Sequence, residues 1–580
     1  MSQTVRIGLI QHNPVVGDVE TNREQLWEAI ETHRNEGVDL FVTPELALLG
    51  YPPRDLLHHE GVIAAQQEAI SWLTEKTTDS PPVLLGAAVR SNQEAGPPLN
   101  NAALVLADGE LAARYDKRLL PTYDVFDEHR YFAAGTKART TQITGATVGL
   151  TVCEDAWHDT VINGRRRHSK NPLAETAEMG ADIIITPSAS PFSLGKPTRR
   201  LERFVNHAKT TASAVVFVNQ VGANDDLIFD GNSFVIDERG TVIHKSDGFT
   251  TETAVVDVPV TATEPPSNKN TLSQPGTELS SLTTGDVSQL RDALTLGIRD
   301  YFEKTGFKRA IVGMSGGIDS SVATALAVDA LGSENVHGVT LPSGITATQS
   351  VTDAQTVANR LGIKFDNIPI SDCVSAVESG LEDAGLPLRE LTKENIQARI
   401  RGDMLMALAN DHDALVLTPD NKSEAAVGYC TLYGDTVGAL APLGDCYKTQ
   451  VYELADSLNE QPPKAAGSET EPENSPEDII PDRILEKPPT AELRADQTDE
   501  DDLPAYDVLD PLLNSVIEHR LSGEQIHADF PEDIVRESIS RLAQSEFKRQ
   551  QSPPVLRISK KAFGQGWEYP IAASYKHLNE

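Results

Sequence analysis

The sequence predicts an α/β protein made of two unlike parts, and three observations carry that prediction. Short apolar runs of strand length alternate with helical patterns along most of the 580 residues. A glycine-rich turn, Gly-Met-Ser-Gly-Gly-Ile-Asp-Ser at 313–320, lies between an apolar run at 310–312 and a helical run at 321–331. A Thr-, Ser- and Pro-rich stretch at 259–282, with little periodicity, separates the chain into a front part and a back part.

Composition narrows the class. The length allows several domains at about 100–200 residues each. Hydrophobic residues make up 39% and aromatic residues 5%, enough for sizeable cores. No run approaches the roughly 20 apolar residues of a membrane span. Residues 1–13 read as a strand, without the basic start and small-residue cleavage site of a secretory signal. The four cysteines, Cys153, Cys373, Cys430 and Cys446, form no Cys-x-x-Cys pair, so neither a zinc site nor a disulfide framework is expected, and a reducing cytoplasm is. A net charge of −36 argues against nucleic acid as a main partner. It favours solubility through repulsion, and leaves open a salt-adapted host or an ordinary acidic enzyme.

The front part opens with a strand at 5–11 and a helix at 22–36, where Leu26, Ala29 and Ile30 keep helical spacing. A second strand, 38–42, runs into Thr43-Pro44-Glu45. Strands at 83–89 and 101–106 follow, then Asp108-Gly109 as a turn, and Lys117 comes after the next β segment. The strand 148–152 leads directly into Cys153, a position where a helix start can activate a thiol. Strands at 183–185, 215–220 and 233–236 complete the alternation. Taken singly, Glu45 fits a helix-start glutamate, Lys117 a solvated lysine and Cys153 an inert core residue.

Together, Glu45, Lys117 and Cys153, each after a β segment, resemble the nitrilase superfamily, whose α-β-β-α sandwich cleaves C–N bonds with Glu, Lys and Cys. The resemblance implies Cys153 as nucleophile, Glu45 as general base and Lys117 as the charge on the tetrahedral oxyanion. Residues 119–132 resemble the segment of glutamine-using members beside the lysine, which implies Tyr123 as a glutamine contact and Glu128 as a second carboxylate. The run Ser188-Ala189-Ser190-Pro191-Phe192 and the later Lys196 imply Ser190 and Lys196 as further glutamine contacts, the lysine for the α-carboxylate.

In the back part, an amphipathic helix at 286–305 carries Leu290, Leu294, Ile298 and Phe302, and leads into the glycine-rich turn. Amides at a helix start, with glycines that let a ligand approach, make a phosphate cradle. No lysine follows the second glycine, so this is not the Gly-x4-Gly-Lys-Ser/Thr loop. The turn resembles the pyrophosphatase-type loop of enzymes that split ATP between the α and β phosphates, and Asp319 then suits a magnesium ion carried by the triphosphate. Strands at 336–341, 365–370 and 415–418, with helices at 351–361 and 394–409, predict a doubly wound parallel sheet with the nucleotide at its C-terminal edge.

Beyond it, Asn421-Lys422-Ser423-Glu424, then Thr431-Leu432-Tyr433-Gly434-Asp435, Tyr447-Lys448-Thr449-Gln450, 487–493, Gln497-Thr498-Asp499-Glu500 and Phe547-Lys548-Arg549-Gln550 resemble successive signatures of the glutamine-dependent NAD synthetases. That resemblance spans nearly the whole chain. It implies a glutaminase domain at 1–259, a linker at 260–285 and a synthetase domain at 286–580 with an acidic loop at 461–478. It implies ATP on Gly313, Met314, Ser315, Gly316, Gly317, Ile318, Asp319, Ser320, Lys448 and Thr490. It implies deamido-NAD on Asn395, Arg399, Glu424 and Lys548, and magnesium on Asp319 and Glu424. The implied reaction is ATP-dependent amidation of deamido-NAD with ammonia from glutamine, by a homo-oligomeric enzyme. Ammonia is expected to travel inside the protein, because free ammonia protonates at neutral pH. One departure stands out: Pro419 replaces a hydroxyl-bearing residue of the family pattern and removes an amide donor. Two other readings are a different amidotransferase or tRNA-thiolating enzyme with the same loop, against which the acidic balance and the front part count, and a non-catalytic nucleotide-binding regulator, against which intact Glu45, Lys117, Cys153 and Asp319 count.

Overall fold

The computed structural model describes residues 3–162, 165–260, 282–463, 478–490, 493–494 and 498–578. The chain divides between Gln274 and Pro275 into two compact units. The expected linker lies outside the described residues from 261 to 281, and the expected acidic loop from 464 to 477.

The first unit is an α-β-β-α sandwich. One six-stranded sheet has the order Glu252–Val260, Gln3–Gln11, Leu40–Val42, Val83–Arg90, Leu99–Ala107 and Glu110–Asp116. The other runs Val242–Lys245, Phe234–Ile236, Ala214–Asn219, Ile183–Ser188, Ala146–Leu150 and Arg139–Ile143. Both mix parallel and antiparallel pairs. Strand alternation sorts the apolar side chains into layers. Val5, Ile7, Leu9, Leu40, Val42 and Leu84 of the first sheet meet Val148, Leu150, Ile183, Ile185, Val216 and Val218 of the second in the central layer. On the outer face of the first sheet, Phe41, Leu85 and Leu104 pack on Leu26 and Ile30 of helix Val19–His33 and on Ile70 and Leu73 of helix Glu60–Lys76. On the outer face of the second, Phe217 and Phe234 pack on Phe204 and Ala208 of helix Lys196–Thr211.

The second unit is built on a four-stranded, all-parallel sheet in the order Lys364–Asn367, Val336–Thr340, Arg309–Gly313 and Ala414–Leu417. Ile311, Val339 and Val416 pack on Leu405 and Ala409 of helix Glu390–His412. Helix Ile318–Leu331 is buried along most of its length, which its apolar, nearly charge-free sequence permits. A separate apolar cluster gathers Leu509, Leu512, Leu513, Val535, Ile539 and Trp567 near the C-terminus.

Several element ends shift by one to four residues from the sequence expectation, and two of these shifts lie beside the glycine-rich turn and its sheet. The helix after the glycine-rich turn starts at Ile318, not at 321, because the Ser320 and Ser321 hydroxyls donate back to Gly317 O at 3.1 and 2.8 Å. The strand expected at 365–370 ends at Asn367; beyond it the chain keeps only single backbone bonds, Ile368 N to Thr340 O and Ile370 N to Pro342 O, both 2.9 Å.

Candidate active sites

In the first unit, three strand ends converge. Glu45 follows strand Leu40–Val42, Lys117 follows Glu110–Asp116, and Cys153 opens the short 3-10 turn Cys153–Trp157 after Ala146–Leu150. Close backbone approach sets the first of these: a Cβ on Gly86 would lie 2.2 Å from Pro44 O, so only glycine lets strand Val83–Arg90 touch the turn that carries Glu45. Cys153 itself has φ of 41°, a left-handed conformation that non-glycine residues seldom adopt.

The charged groups form one buried set. Lys117 Nζ donates to Glu45 Oε1 and to Glu128 Oε1, each at 2.7 Å, and the lysine is 1% exposed. Glu45 Oε2 accepts the Ala189 amide at 3.0 Å. Tyr51 donates its hydroxyl to Glu128 Oε1 at 2.9 Å. The Asn101 amide donates to Glu45 Oε1 at 2.7 Å and to Glu128 Oε2 at 3.4 Å. Burial pushes the Glu128 carboxyl up to about 7; Lys117 opposes the rise and Glu45 adds to it. Burial works to lower the Lys117 ammonium, but Glu128 and Glu45 outweigh it and hold the lysine well above its usual value. Burial, then Glu45, push the Cys153 thiol well above the ordinary thiol range, so the resting sulfur carries its proton.

Around this set, Asp155 ties the nucleophile turn to the lysine strand. Its Oδ1 accepts the amides of Arg118 at 3.2 Å and Leu119 at 2.9 Å, and its Oδ2 accepts Val152 N at 2.9 Å and the Tyr115 hydroxyl at 2.8 Å. The expected glutamine contacts lie nearby. The Tyr123 hydroxyl donates to Glu154 Oε2 at 2.9 Å, and the Arg167 guanidinium sits 3.3 Å over the Tyr123 ring. Ser190 is buried, with its amide on Asn219 Oδ1 at 2.8 Å. Lys196 Nζ donates to Pro191 O at 2.6 Å and lies 5.8 Å from the Trp157 ring.

In the second unit, a cavity of about 250 Å³ opens at the C-terminal edge of the parallel sheet. Gly313, Met314, Ser315, Gly317, Ile318, Asp319, Ser320, Glu424, Lys448 and Thr490 all line it. Gly316 does not; its φ is 80° and a Cβ there would lie 2.1 Å from Ser350 O, so the turn requires glycine. The amides expected to be bare are partly taken: Gly317 N donates to Ser315 Oγ at 3.2 Å and Ser315 N to Ser320 Oγ at 3.3 Å. Lys448 Nζ donates to Asp319 Oδ2 at 2.5 Å and to Glu424 Oε1 at 3.1 Å, and Asn421 Nδ2 donates to Asp319 Oδ1 at 2.9 Å. Burial raises the Glu424 carboxyl to about 7, against Lys448 and with Asp319. Pro419 lines the cavity, while the Thr418 hydroxyl before it donates to Asp435 O at 2.7 Å.

Family models match both units. The carbon-nitrogen hydrolase model matches residues 6–265 and the NAD synthase model residues 290–552. A glutamine-dependent NAD(+) synthetase of Synechocystis sp. is 40% identical over 98% of this chain and 99% of its own. The chain belongs to the glutamine-dependent NAD(+) synthetases. The solved structure of the Acinetobacter baumannii synthetase in complex with ADP has a TM-score of 0.72 at 32% identity, covering 99% of this chain and all of that one (100%). That of the Cytophaga hutchinsonii synthetase has a TM-score of 0.80 over 100% of this chain, with 21% identity, and speaks for the fold alone.

In this synthetase, three expected deamido-NAD contacts do not line the cavity. They hold the segment from 428 to 433. Asn395 Oδ1 accepts the Thr431 hydroxyl at 2.8 Å, Arg399 Nε donates to Leu432 O at 3.2 Å, and Lys548 Nζ donates to Gly428 O and Cys430 O at 2.7 Å each. Sequence reasoning passed over Tyr51, Asn101, Glu154 and Asp155 in the first unit, and Arg401, Asp420 and Asp499 on the cavity wall of the second. The doublet Asn100-Asn101, inside a strand whose residues from 99 to 106 are all buried, was a usable signal, since a buried amide in a strand needs partners.

Proposed function

We propose that the first unit hydrolyses glutamine, and that the second spends ATP to amidate deamido-NAD with the ammonia, giving NAD, AMP and pyrophosphate. The observation that carries this reading is the buried Glu45–Lys117–Glu128 set beside Cys153, in a chain whose second unit aims Lys448 and a glycine-rich turn into one cavity. Cys153 Sγ attacks the glutamine carboxamide carbon while Glu45 takes the thiol proton. Lys117 and the amides of the Cys153 turn stabilise the oxyanion. Glu45 returns the proton to the departing nitrogen, ammonia leaves, and water then cleaves the thioester to glutamate. Tyr123, Ser190 and Lys196 hold the glutamine, and Glu128 keeps Lys117 in place.

In the cavity, the turn from Gly313 to Ser320 and the residues Lys448 and Thr490 receive ATP. Its phosphates would take over the amides now held by Ser315 and Ser320. The nicotinate carboxylate attacks the α-phosphorus and displaces pyrophosphate, because a free carboxylate is a poor electrophile; ammonia then displaces AMP. Asn395, Arg399 and Lys548, through the 428–433 segment, and Glu424 shape the place of deamido-NAD. Magnesium fits the donor set. Among the described residues no three His, Cys, Asp or Glu side chains gather into an all-protein metal cage. A phosphate-borne magnesium needs only one or two carboxylates, and Asp319 and Glu424 would hold it and neutralise phosphate charge. The four cysteines are free, which suits work in the cytoplasm, and a homo-oligomer is the proposed assembly.

The test is NAD formation from deamido-NAD, ATP and magnesium, with glutamine or with ammonium, in the natural enzyme and in Cys153→Ala. Loss of only the glutamine-supported reaction supports the reading. Loss of both overturns the two-site assignment, and no NAD from either nitrogen source overturns the synthetase reading.

A further inference from the structure

Asn101 lies in strand Leu99–Ala107, is 1% exposed, and touches every charged member of the glutaminase set. Its backbone carbonyl accepts the Lys117 amide at 2.8 Å. Its side-chain nitrogen donates to Glu45 Oε1 and to Glu128 Oε2. Its Oδ1 is buried and accepts no hydrogen bond, so the amide leaves its acceptor unused while its nitrogen serves two carboxylates. Such an arrangement costs stability, and a strand needs no asparagine at a buried position for its own sake. One lysine cannot neutralise two carboxylates; neutral donors, the Tyr51 hydroxyl, the Ala189 amide and the Asn101 side chain, remain to hold the second charge.

We infer that Asn101 is a positioning residue of the glutaminase: its amide divides its hydrogen bonds between Glu45 and Glu128, and thereby fixes both carboxylates around Lys117. The inference rests on the proposed glutaminase reading. The groups facing the pair are Lys117, Tyr51, Cys153 and the Ala189 amide, with Glu154 farther out beside Cys153, and none of them donates to both carboxylates except Lys117. Removing the amide favours the protonated form of the Glu128 carboxyl, because hydrogen bonds to a carboxylate stabilise its charge. The acid limb of the glutamine-supported rate, which belongs to the pair, therefore moves to higher pH.

The experiment compares full-length natural enzyme, Asn101→Leu, Asn101→Asp, Asn101→Gln and Cys153→Ala across pH, with glutamine and with ammonium. Asn101→Leu and Asn101→Asp are expected to shift the acid limb upward by about one pH unit and to lower kcat for glutamine by about 10-fold or more, at nearly unchanged KM. Asn101→Gln, which keeps two N–H groups, restores part of the rate and of the limb. Ammonium-supported synthesis stays at the natural level. The limb position does not depend on how much enzyme is folded, so partial unfolding does not mimic the result. A limb unmoved in both Asn101→Leu and Asn101→Asp, with activity merely lowered at all pH values, overturns the inference. Glutamine-supported activity surviving in Cys153→Ala overturns the underlying reading instead.

Discussion

The Tyr115 hydroxyl donates to Asp155 Oδ2 at 2.8 Å, with both side chains buried, so the strand that leads to Lys117 is joined to the turn that begins with Cys153. The Asp155 carboxylate completes the link with three backbone amides from the two segments. Removing it leaves four buried donors without a partner, each costing about 1–3 kcal/mol. Asp155→Ala is expected to abolish glutamine-supported NAD formation while ammonium still supports it. Tyr115→Phe, which removes one donor and leaves the other three in place, is expected to lower glutamine turnover by about 10-fold at most. Steady-state rates with the two nitrogen sources separate these outcomes.

The Glu128 carboxyl, raised to about 7 by burial and by Glu45 against the pull of Lys117, places an ionisation within the working range. Glutamine-supported turnover is expected to change through pH 7 for that reason. Below that value Glu128 is protonated and Lys117 serves Glu45 alone; above it, two carboxylates share one ammonium. Glu128→Gln, which keeps the shape and removes the charge, is expected to erase the inflection near 7. A pH profile of kcat/KM for glutamine in which the inflection survives the substitution contradicts the assignment.

Gly86 and Gly316 serve the two sites in the same way, by close backbone approach. Gly86→Ala pushes a Cβ against Pro44 O, 2.2 Å away, and so displaces Glu45. Its expected effect is on glutamine use alone. Gly316→Ala meets Ser350 O at 2.1 Å in a left-handed backbone, and the turn must open. Its expected effect is on both nitrogen sources, with a raised KM for ATP. Rates measured against glutamine, ammonium and ATP check both.

Lys448 bridges Asp319 and Glu424, and burial of the lysine is outweighed by those two carboxylates, which hold its ammonium above the usual value. Lys448→Met leaves two carboxylates repelling each other where triphosphate must bind. NAD formation is expected to fall by about 100-fold or more with either nitrogen source, as when an electrostatic contact to the reacting group is removed. Removing magnesium with a chelator is expected to stop NAD formation with both sources and re-addition to restore it. A Lys448→Met enzyme with a natural KM and kcat for ATP contradicts the placement.

Much of the molecule was legible in the sequence, for physical reasons. Glu45, Lys117 and Cys153 each read as structural alone; their order after successive β segments, through its resemblance to the nitrilase superfamily, set them together, and the structure brings Lys117 onto Glu45. The turn at 313–320 was legible because glycines, serines and an aspartate set between a strand and a helix suit a bound phosphate and do little for a core. The start of its helix was not, because Ser320 and Ser321 read as turn residues until their hydroxyls are seen bonded to Gly317 O. The doublet Asn100-Asn101 marked a polar spot in an apolar strand, but not its role, because the partners of Asn101, Glu45 and Glu128, lie 56 and 27 residues away along the chain. The work of Asn395, Arg399 and Lys548 on the carbonyls and hydroxyl of 428–433 lies in tertiary contacts across more than 30 residues, which no local pattern carries.

The protonated Cys153 thiol, buried and in a left-handed backbone, bears on inhibitor chemistry. General alkylating agents and peroxides consume thiolates, so they meet little reactive sulfur here at rest. A covalent drug against this enzyme gains nothing from a hotter warhead. On the proposed glutaminase reading, selectivity would come from a mild electrophile on a glutamine-like frame.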